Sequence, residues 1–267
     1  MKRFGFIGMG NMAGAMLKGM LRVFSPDELM FAEKNEEQGK RVEKETGVEY
    51  AVSNRSCSSS VKYLILAVKP QFMPEVLEEI KEEIKEEQIV ISIAAGVTIA
   101  DIKEVLGADA RVVRVMPNTP ALLGEGMTGV CYDASAYSDE ERSVIRQIFE
   151  SFGKMQVVNE ALMNAVICVS GSSPAYVYMF IEALADGAVK YGIPRKAAYE
   201  MAAQTVLGAA KMVLETGKHP GELKDMVCSP AGTTMAGVAA LEEYGFRNSI
   251  IKACDSCYEK AESMSRK

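Results

Sequence analysis

One histidine, His219, is all the imidazole that this 267-residue chain contains. No multi-histidine metal centre can form from it, and no Ser-His-Asp arrangement is evident around it. The six cysteines are scattered, and only Cys254 and Cys257 stand at a metal-ligand spacing. On a helix those two share a face, but no second pair or histidine completes a zinc set, so reduced thiols and no metal are expected. A basic excess is also missing: 30 Lys and Arg face 36 Asp and Glu, a net charge of −6. That balance argues against nucleic acid or an anionic membrane as partner. No apolar run approaches the ~18 residues that a membrane helix needs. No basic-then-apolar leader precedes the first strand either, and the expected location is the cytoplasm.

What is present begins at the N-terminus. An apolar run (Phe4, Phe6, Ile7) leads into Gly8-x-Gly10-x-x-Ala13-Gly14 and then a helical segment, the pattern of a dinucleotide-binding turn. Gly8 permits the tight reversal, Gly10 lets a pyrophosphate approach the backbone, and Ala13 or Gly14 allows the helix to pack close to the strand. The free N–H groups and dipole at the helix start hold the anion. The helix is expected over 11–23, and a second strand over 29–32 ends at Glu33, where such folds place the acid that binds the adenosine ribose. Glu33 leans toward NAD, whereas Lys34 and Arg41 are placed to neutralise a 2′-phosphate.

A short strand near Tyr50 and Val52, then Asn54 and a serine-rich turn over 56–60, precede the buried-strand run 63–68. The Glu/Lys-rich stretch 74–88 places Leu77, Ile80 and Ile84 at helical spacing, so its charges form a solvated face. Strands follow at 89–93 and 111–115, with 129–132 as an edge. Alternation of this kind specifies an α/β Rossmann-like, doubly wound, mostly parallel sheet whose ligand lies along the carboxyl ends of the strands. The turns beginning at Gly8, Glu33, Ala67, Ala94 and Met116 then face one crevice. Past Ser138 helices dominate: 160–191 is one apolar helix interrupted at Gly171-Ser172-Ser173-Pro174, and an alanine-rich helix follows Pro194. Further helices are expected at 234–244 and 248–265. The organisation is a dinucleotide-binding domain over 1–159 and an all-α domain over 160–267. A helical domain so rich in Ala and Met cannot bury its faces alone, which predicts at least a homodimer.

A second constellation runs from His219 to Thr234, with small and hydroxyl residues leading into a helix start. Free N–H groups at Gly232, Thr233 and Thr234 suit a carboxylate, and an ordinary N-cap is the plainer alternative. The neighbouring Pro220 marks His219 as a capping residue in a turn.

Taken together, IGMGNM (7–12), AVKPQ (67–71), RVMPNTP (114–120), GSSPAYVY (171–178) and HPGELKDMVCSPAGTTMAGVAALE (219–242) resemble pyrroline-5-carboxylate reductase. The resemblance extends from residue 4 to about 260. It implies a Rossmann domain, an all-α dimerisation domain that interlocks with a second subunit, and often five such dimers in a decamer. Ala231 stands where that family has glycine, Cys228 where serine is common and Ser173 where glycine occurs. These are small-for-small exchanges, although Ala231 narrows the torsions open to its loop.

The implied reaction is hydride transfer from NADPH or NADH to the imine carbon of 1-pyrroline-5-carboxylate, giving L-proline. A cyclic imine is partly protonated near neutral pH, so the protein mainly positions two reactants and excludes water. The resemblance implies that Ser229, Gly232, Thr233 and Thr234 bind the substrate, with Thr234 as the catalytic group at the ring nitrogen. The crevice and the family together place Ile7, Gly8, Met9, Gly10, Asn11 and Met12 on the pyrophosphate, and Glu33, Lys34, Asn35 and Asn54 near the adenosine. Ala67, Val68, Lys69 and Pro70 then run along the dinucleotide, and Ala94, Ala95 and Gly96 lie toward the nicotinamide. Asn118 and the 171–174 kink line that same end. A reductase of β-hydroxyacids or another imine is the first rival, but such families are expected to carry a lysine in the interdomain helix, and 160–178 has none. A non-catalytic dinucleotide-binding regulator is the second; its signature, loss of the substrate loop, is absent.

Overall fold

Phe4 and Phe6 alternate with Gly5 and Ile7 along the first strand, and all four are buried because both faces of that strand are covered. The computed structural model describes residues 2–265, apart from the side chain of Ser265. In chain order it begins with β1 (Lys2–Ile7), α1 (Asn11–Met20), β2 (Leu29–Ala32), α2 (Glu36–Thr46), β3 (Glu49–Tyr50), α3 (Asn54–Ser59), β4 (Val61–Leu66) and α4 (Met73–Ile80). Then come β5 (Ile89–Ser92), α5 (Ile99–Leu106), β6 (Arg111–Met116), β7 (Gly126–Cys131), α6 (Asp139–Glu150) and β8 (Gly153–Val157). The sheet order is β3-β2-β1-β4-β5-β6-β7-β8. All pairings are parallel except β6 with β7. The chain order reverses between β1 and β4, and such a switch opens a crevice at the carboxyl ends of the strands.

Two apolar layers sandwich the sheet. Phe4, Phe6, Ile65, Ile91 and Val113 pack with Met16 and Leu17 of α1 and Ile148 and Phe149 of α6. Ile7, Leu64, Leu66, Val90 and Val112 pack with Leu77 and Ile80 of α4 and Ile102 of α5. Four local expectations shift. The first helix ends at Met20, short of residue 23. The serine-rich turn is instead a short helix, α3, because the Ser53 hydroxyl accepts the Ser56 N–H and caps it. Val52 is exposed and belongs to no strand. The segment containing 129–132 is not an edge: β7 starts at Gly126, and β8 pairs along its outer side.

Of the described residues, 2–172 together with 257–265 form one compact unit, and Ser173–Ser256 form another. After β8 come α7 (Met163–Val166) and a π-helical turn, Ile167–Ser172. The second unit contains α8 (Ser173–Lys190), α9 (Arg195–Thr216), α10 (Pro220–Val227) and α11 (Thr233–Glu243). It also includes the first part of α12 (Phe246–Ser265). Helix α10 lies where the sequence marks a turn at Pro220 and no helix is expected; Pro220 occupies its first turn and the His219 Nδ1 accepts the Gly221 N–H at 3.0 Å.

The buried apolar cluster of the second unit is small, consisting of Ala185, Ala198 and Ala202 with Ile181, Val189 and Ile193 against them. Tyr178, Met179, Phe180, Leu184, Met201, Leu207 and Leu214 are exposed. Contrary to the expectation from apolar run length, the helical stretch Glu160–Lys190 is long and apolar enough, by length and composition alone, to cross a membrane. Apolar side chains are exposed along both α8 and α9, a pattern that also fits helices covered by a second chain.

Candidate dinucleotide and substrate sites

The turn after β1 has the geometry its glycines predict. Gly8 has φ +88°, and a Cβ there would lie 3.0 Å from the Ala67 carbonyl oxygen, so only glycine fits without strain. Its N–H donates to the Ala32 carbonyl at 2.9 Å, tying the turn to β2. Helix α1 then begins at Asn11 with Gly10 as an N-cap that has no side-chain bond. The N–H groups of Asn11, Met12 and Ala13 have no backbone acceptor among the described residues. Open space surrounds the position a Gly10 Cβ would occupy. An uncapped helix start with a clear approach is an anion site in form and in charge. Buried Ala13 provides the close helix packing, whereas nothing lies near Gly14 on the side where a Cβ would point.

Glu33 is fixed beside this turn. Its Oε2 accepts the Met9 N–H at 2.8 Å and its Oε1 accepts the Asn35 N–H at 2.9 Å. Its backbone carbonyl accepts the Tyr50 hydroxyl at 2.8 Å, and the Gln38 amide donates to the Met9 carbonyl. The Asn35 side chain caps α2 through the Gln38 N–H at 3.0 Å, while Lys34 is exposed. Across the switch, the Ala67 N–H donates to Ile7 at 2.9 Å, and Val68 borders Gly8. Lys69 is exposed and Pro70 opens a short 3-10 turn, Pro70–Phe72. Ala94 is buried at the end of β5, and Ala95 and Gly96, with φ +80° at Gly96, continue the carboxyl edge.

Two predicted contacts have side chains committed elsewhere. The Asn54 amide donates to Glu79 Oε2 at 2.8 Å. Asn118 donates to the Ser170 carbonyl at 2.9 Å and accepts the Met127 N–H at 2.8 Å. Sequence reasoning also missed Glu160, whose Oε1 accepts the Ile99 N–H at 2.8 Å and an Nη1 bond from buried Arg114 at 3.1 Å. That carboxylate anchors the start of α5, five residues after Ala94, and no local pattern marks a partner 61 positions away.

In the second unit, α10 ends before a turn formed by Ser229, Pro230, Ala231 and Gly232. The Gly232 N–H donates to the Ser229 carbonyl at 3.0 Å, and Ala231 has φ +57°. Proline followed by a positive φ is the sequence of a type II turn, which favours glycine at the third position. Ala231→Gly is therefore expected to raise stability by about 1 kcal/mol, the left-handed penalty less the extra chain entropy of glycine, as read from thermal unfolding. A Cβ on Gly232 would lie 2.3 Å from Ser229 Oγ and 3.1 Å from the Ser229 carbonyl oxygen, so a larger residue would displace the Ser229 hydroxyl and press on the turn. Helix α11 starts next without a side-chain cap, and the N–H groups of Thr233, Thr234 and Met235 have no backbone acceptor among the described residues. Thr233 is exposed and Thr234 half-buried.

Known proteins match this chain from end to end. Residues 160–264 match the family model described as pyrroline-5-carboxylate reductase dimerisation, and residues 3–96 match NADP oxidoreductase coenzyme F420-dependent. The pyrroline-5-carboxylate reductase of Escherichia coli strain K12 is 45% identical over 267 residues, covering 99% of both chains. The solved pyrroline-5-carboxylate reductase from Coxiella burnetii superposes with a TM-score of 0.93 at 32% identity, covering 99% of this chain and 98% of that one. The Plasmodium falciparum pyrroline carboxylate reductase structure with NADP bound superposes at 0.88 with 31% identity and the same coverage.

Proposed function

The chain belongs to the pyrroline-5-carboxylate reductase family: it is an NAD(P)H-dependent oxidoreductase that reduces 1-pyrroline-5-carboxylate in proline biosynthesis, and we propose that Thr234 and the loop before it carry the substrate half of that reaction. The observation that supports this most is the uncapped start of α11, with three free N–H groups and the Thr234 hydroxyl on one turn. These N–H groups hold the substrate carboxylate, aided by the helix dipole. The Thr234 hydroxyl meets the ring nitrogen, orients the imine and passes on the proton that the product amine requires. In the other unit, the N–H groups of Asn11, Met12 and Ala13 hold the pyrophosphate, and the reduced nicotinamide, when bound, supplies the hydride. Enlarging the loop tests the assignment: Gly232→Ala is expected to raise KM for the imine about tenfold while leaving KM for the dinucleotide unchanged. A rise in the dinucleotide KM alone would contradict it.

Glu33 governs the choice of dinucleotide in this reading. Its carboxylate, held by the N–H groups of Met9 in the glycine turn and Asn35 after β2, repels a 2′-phosphate and accepts ribose hydroxyls. NADH is the preferred reductant. Glu33→Gln is expected to lower the ratio of kcat/KM for NADH to that for NADPH by about tenfold, the effect of one charge near a phosphate. An unaltered ratio in parallel assays would remove Glu33 from the selection.

The chain self-associates through its helical region, as the matched dimerisation model and the exposed apolar side chains of α8 and α9 indicate. Assembly of five dimers into a decamer in the cytoplasm, with the functional division of the chain at 159/160, completes the proposal. Sedimentation of the purified protein distinguishes a dimer from a decamer.

A further inference from the structure

We propose that Asn118 is a positioning residue that holds the π-helical turn Ile167–Ser172 against the carboxyl end of β6, and that turnover depends on this hold. The inference rests on the reductase reading above. Asn118 follows β6 by two residues and is the N-cap of the 3-10 turn Thr119–Leu123, where an asparagine side chain ordinarily caps its own turn. Here it makes no such bond. Its amide instead reaches 52 residues along the chain to the Ser170 carbonyl at 2.9 Å, and its Oδ1 takes the Met127 N–H at 2.8 Å. Both polar ends of this buried side chain are thus satisfied within the protein.

The reason Ser170 needs a donor lies in Pro174. In an α-helix the Ser170 carbonyl accepts the N–H of the residue four positions on, which is Pro174 and has none. The proline ring also crowds that carbonyl, and the backbone widens there into a π turn. Asn118 offers this carbonyl a donor in place of the missing Pro174 N–H. Met116, the last residue of β6, borders Gly171 on the same turn. The widened turn therefore lies against the strand ends that line a dinucleotide crevice, on the half of the sheet beyond β4, away from Glu33 and the adenosine. Hydride transfer is sensitive to placement at the scale of an ångström, so a slack turn here lowers kcat more than dinucleotide affinity.

Two variants separate this role from general support of the fold. Asn118→Ala removes both bonds. Asn118→Asp, assayed at alkaline pH where its carboxyl is ionised, keeps the acceptor for Met127 and loses the donor to Ser170. The expected result is a kcat about 10- to 100-fold below wild type in both, with the Kd for NAD(P)H, measured by fluorescence, within about threefold of wild type. Wild-type turnover in either assembled variant overturns the proposal, as does a loss of dinucleotide affinity in proportion to kcat. Failure of both variants to assemble also overturns it, because the contact is then one of folding only. If the wild-type protein does not turn over the imine, the reductase reading itself fails; if it does and the variants match it, only the role of Asn118 fails.

Discussion

Thr234→Val is expected to lower kcat about 100-fold while leaving the dinucleotide KM and the fold intact, the size of effect typical of a lost proton-transfer group. The substitution keeps the shape of the side chain and removes only its hydroxyl. Thr234 is the second residue of α11 and makes no side-chain cap bond for that helix, so stability changes by no more than about 0.5 kcal/mol. Its N–H remains available to the substrate carboxylate, and the imine KM rises less than kcat falls. Thr234→Ser, which restores a hydroxyl, recovers most of the rate. Steady-state kinetics on the three proteins decides the matter: a Thr234→Val enzyme with wild-type kcat removes the hydroxyl from the mechanism.

Glu141→Gln is expected to cost about 3 kcal/mol of stability at neutral pH without altering the site chemistry. Glu141, in the first turn of α6, accepts Arg111 through both oxygens at 2.9 and 2.5 Å, Lys62 at 3.1 Å and the Ser138 N–H at 3.0 Å. The knot joins α6 to the starts of β4 and β6, and the glutamate side chain is only 10% exposed. Chiefly through the bonds from Arg111, aided by Ser138 and Lys62, its carboxyl is drawn down from 4.5 to about 2. Because the folded value lies below the unfolded one, the stabilisation is fully present above the ordinary glutamate range and disappears as pH falls toward about 2. In urea the wild-type midpoint at pH 7 should exceed that of Glu141→Gln by about 1 M. That gap should narrow through the window between pH 4.5 and about 2. Equal midpoints at pH 7 would show that the knot contributes nothing net.

Features controlled by local backbone chemistry were legible in the residues. Gly8 announces a positive φ, and the continuous apolar runs announce strands covered on both faces. Ala231 was marked as narrowing the torsions of its loop because the resembled family has glycine there, and the structure gives it a positive φ. What escaped depends on contacts between distant parts of the chain. Asn118 reads as a crevice residue by position, yet its amide belongs to Ser170. Asn54 is engaged by Glu79, 25 residues on, and Glu160 serves Ile99 and Arg114. The kink at 171–174 was visible, but the widened π turn before it, Ile167–Ser172, was not. Helix α10 was missed because Pro220 at its start read as a turn, although proline is at home in a first helical turn. Of the two packing positions the motif offered, Ala13 or Gly14, the buried one is Ala13.

The most direct test of the central claim is a steady-state assay of the purified protein with 1-pyrroline-5-carboxylate, following loss of NADH and NADPH absorbance in parallel. The account predicts L-proline formation with turnover on both dinucleotides and the higher kcat/KM on NADH. A folded, dinucleotide-binding oligomer that oxidises neither cofactor in the presence of the imine would contradict it.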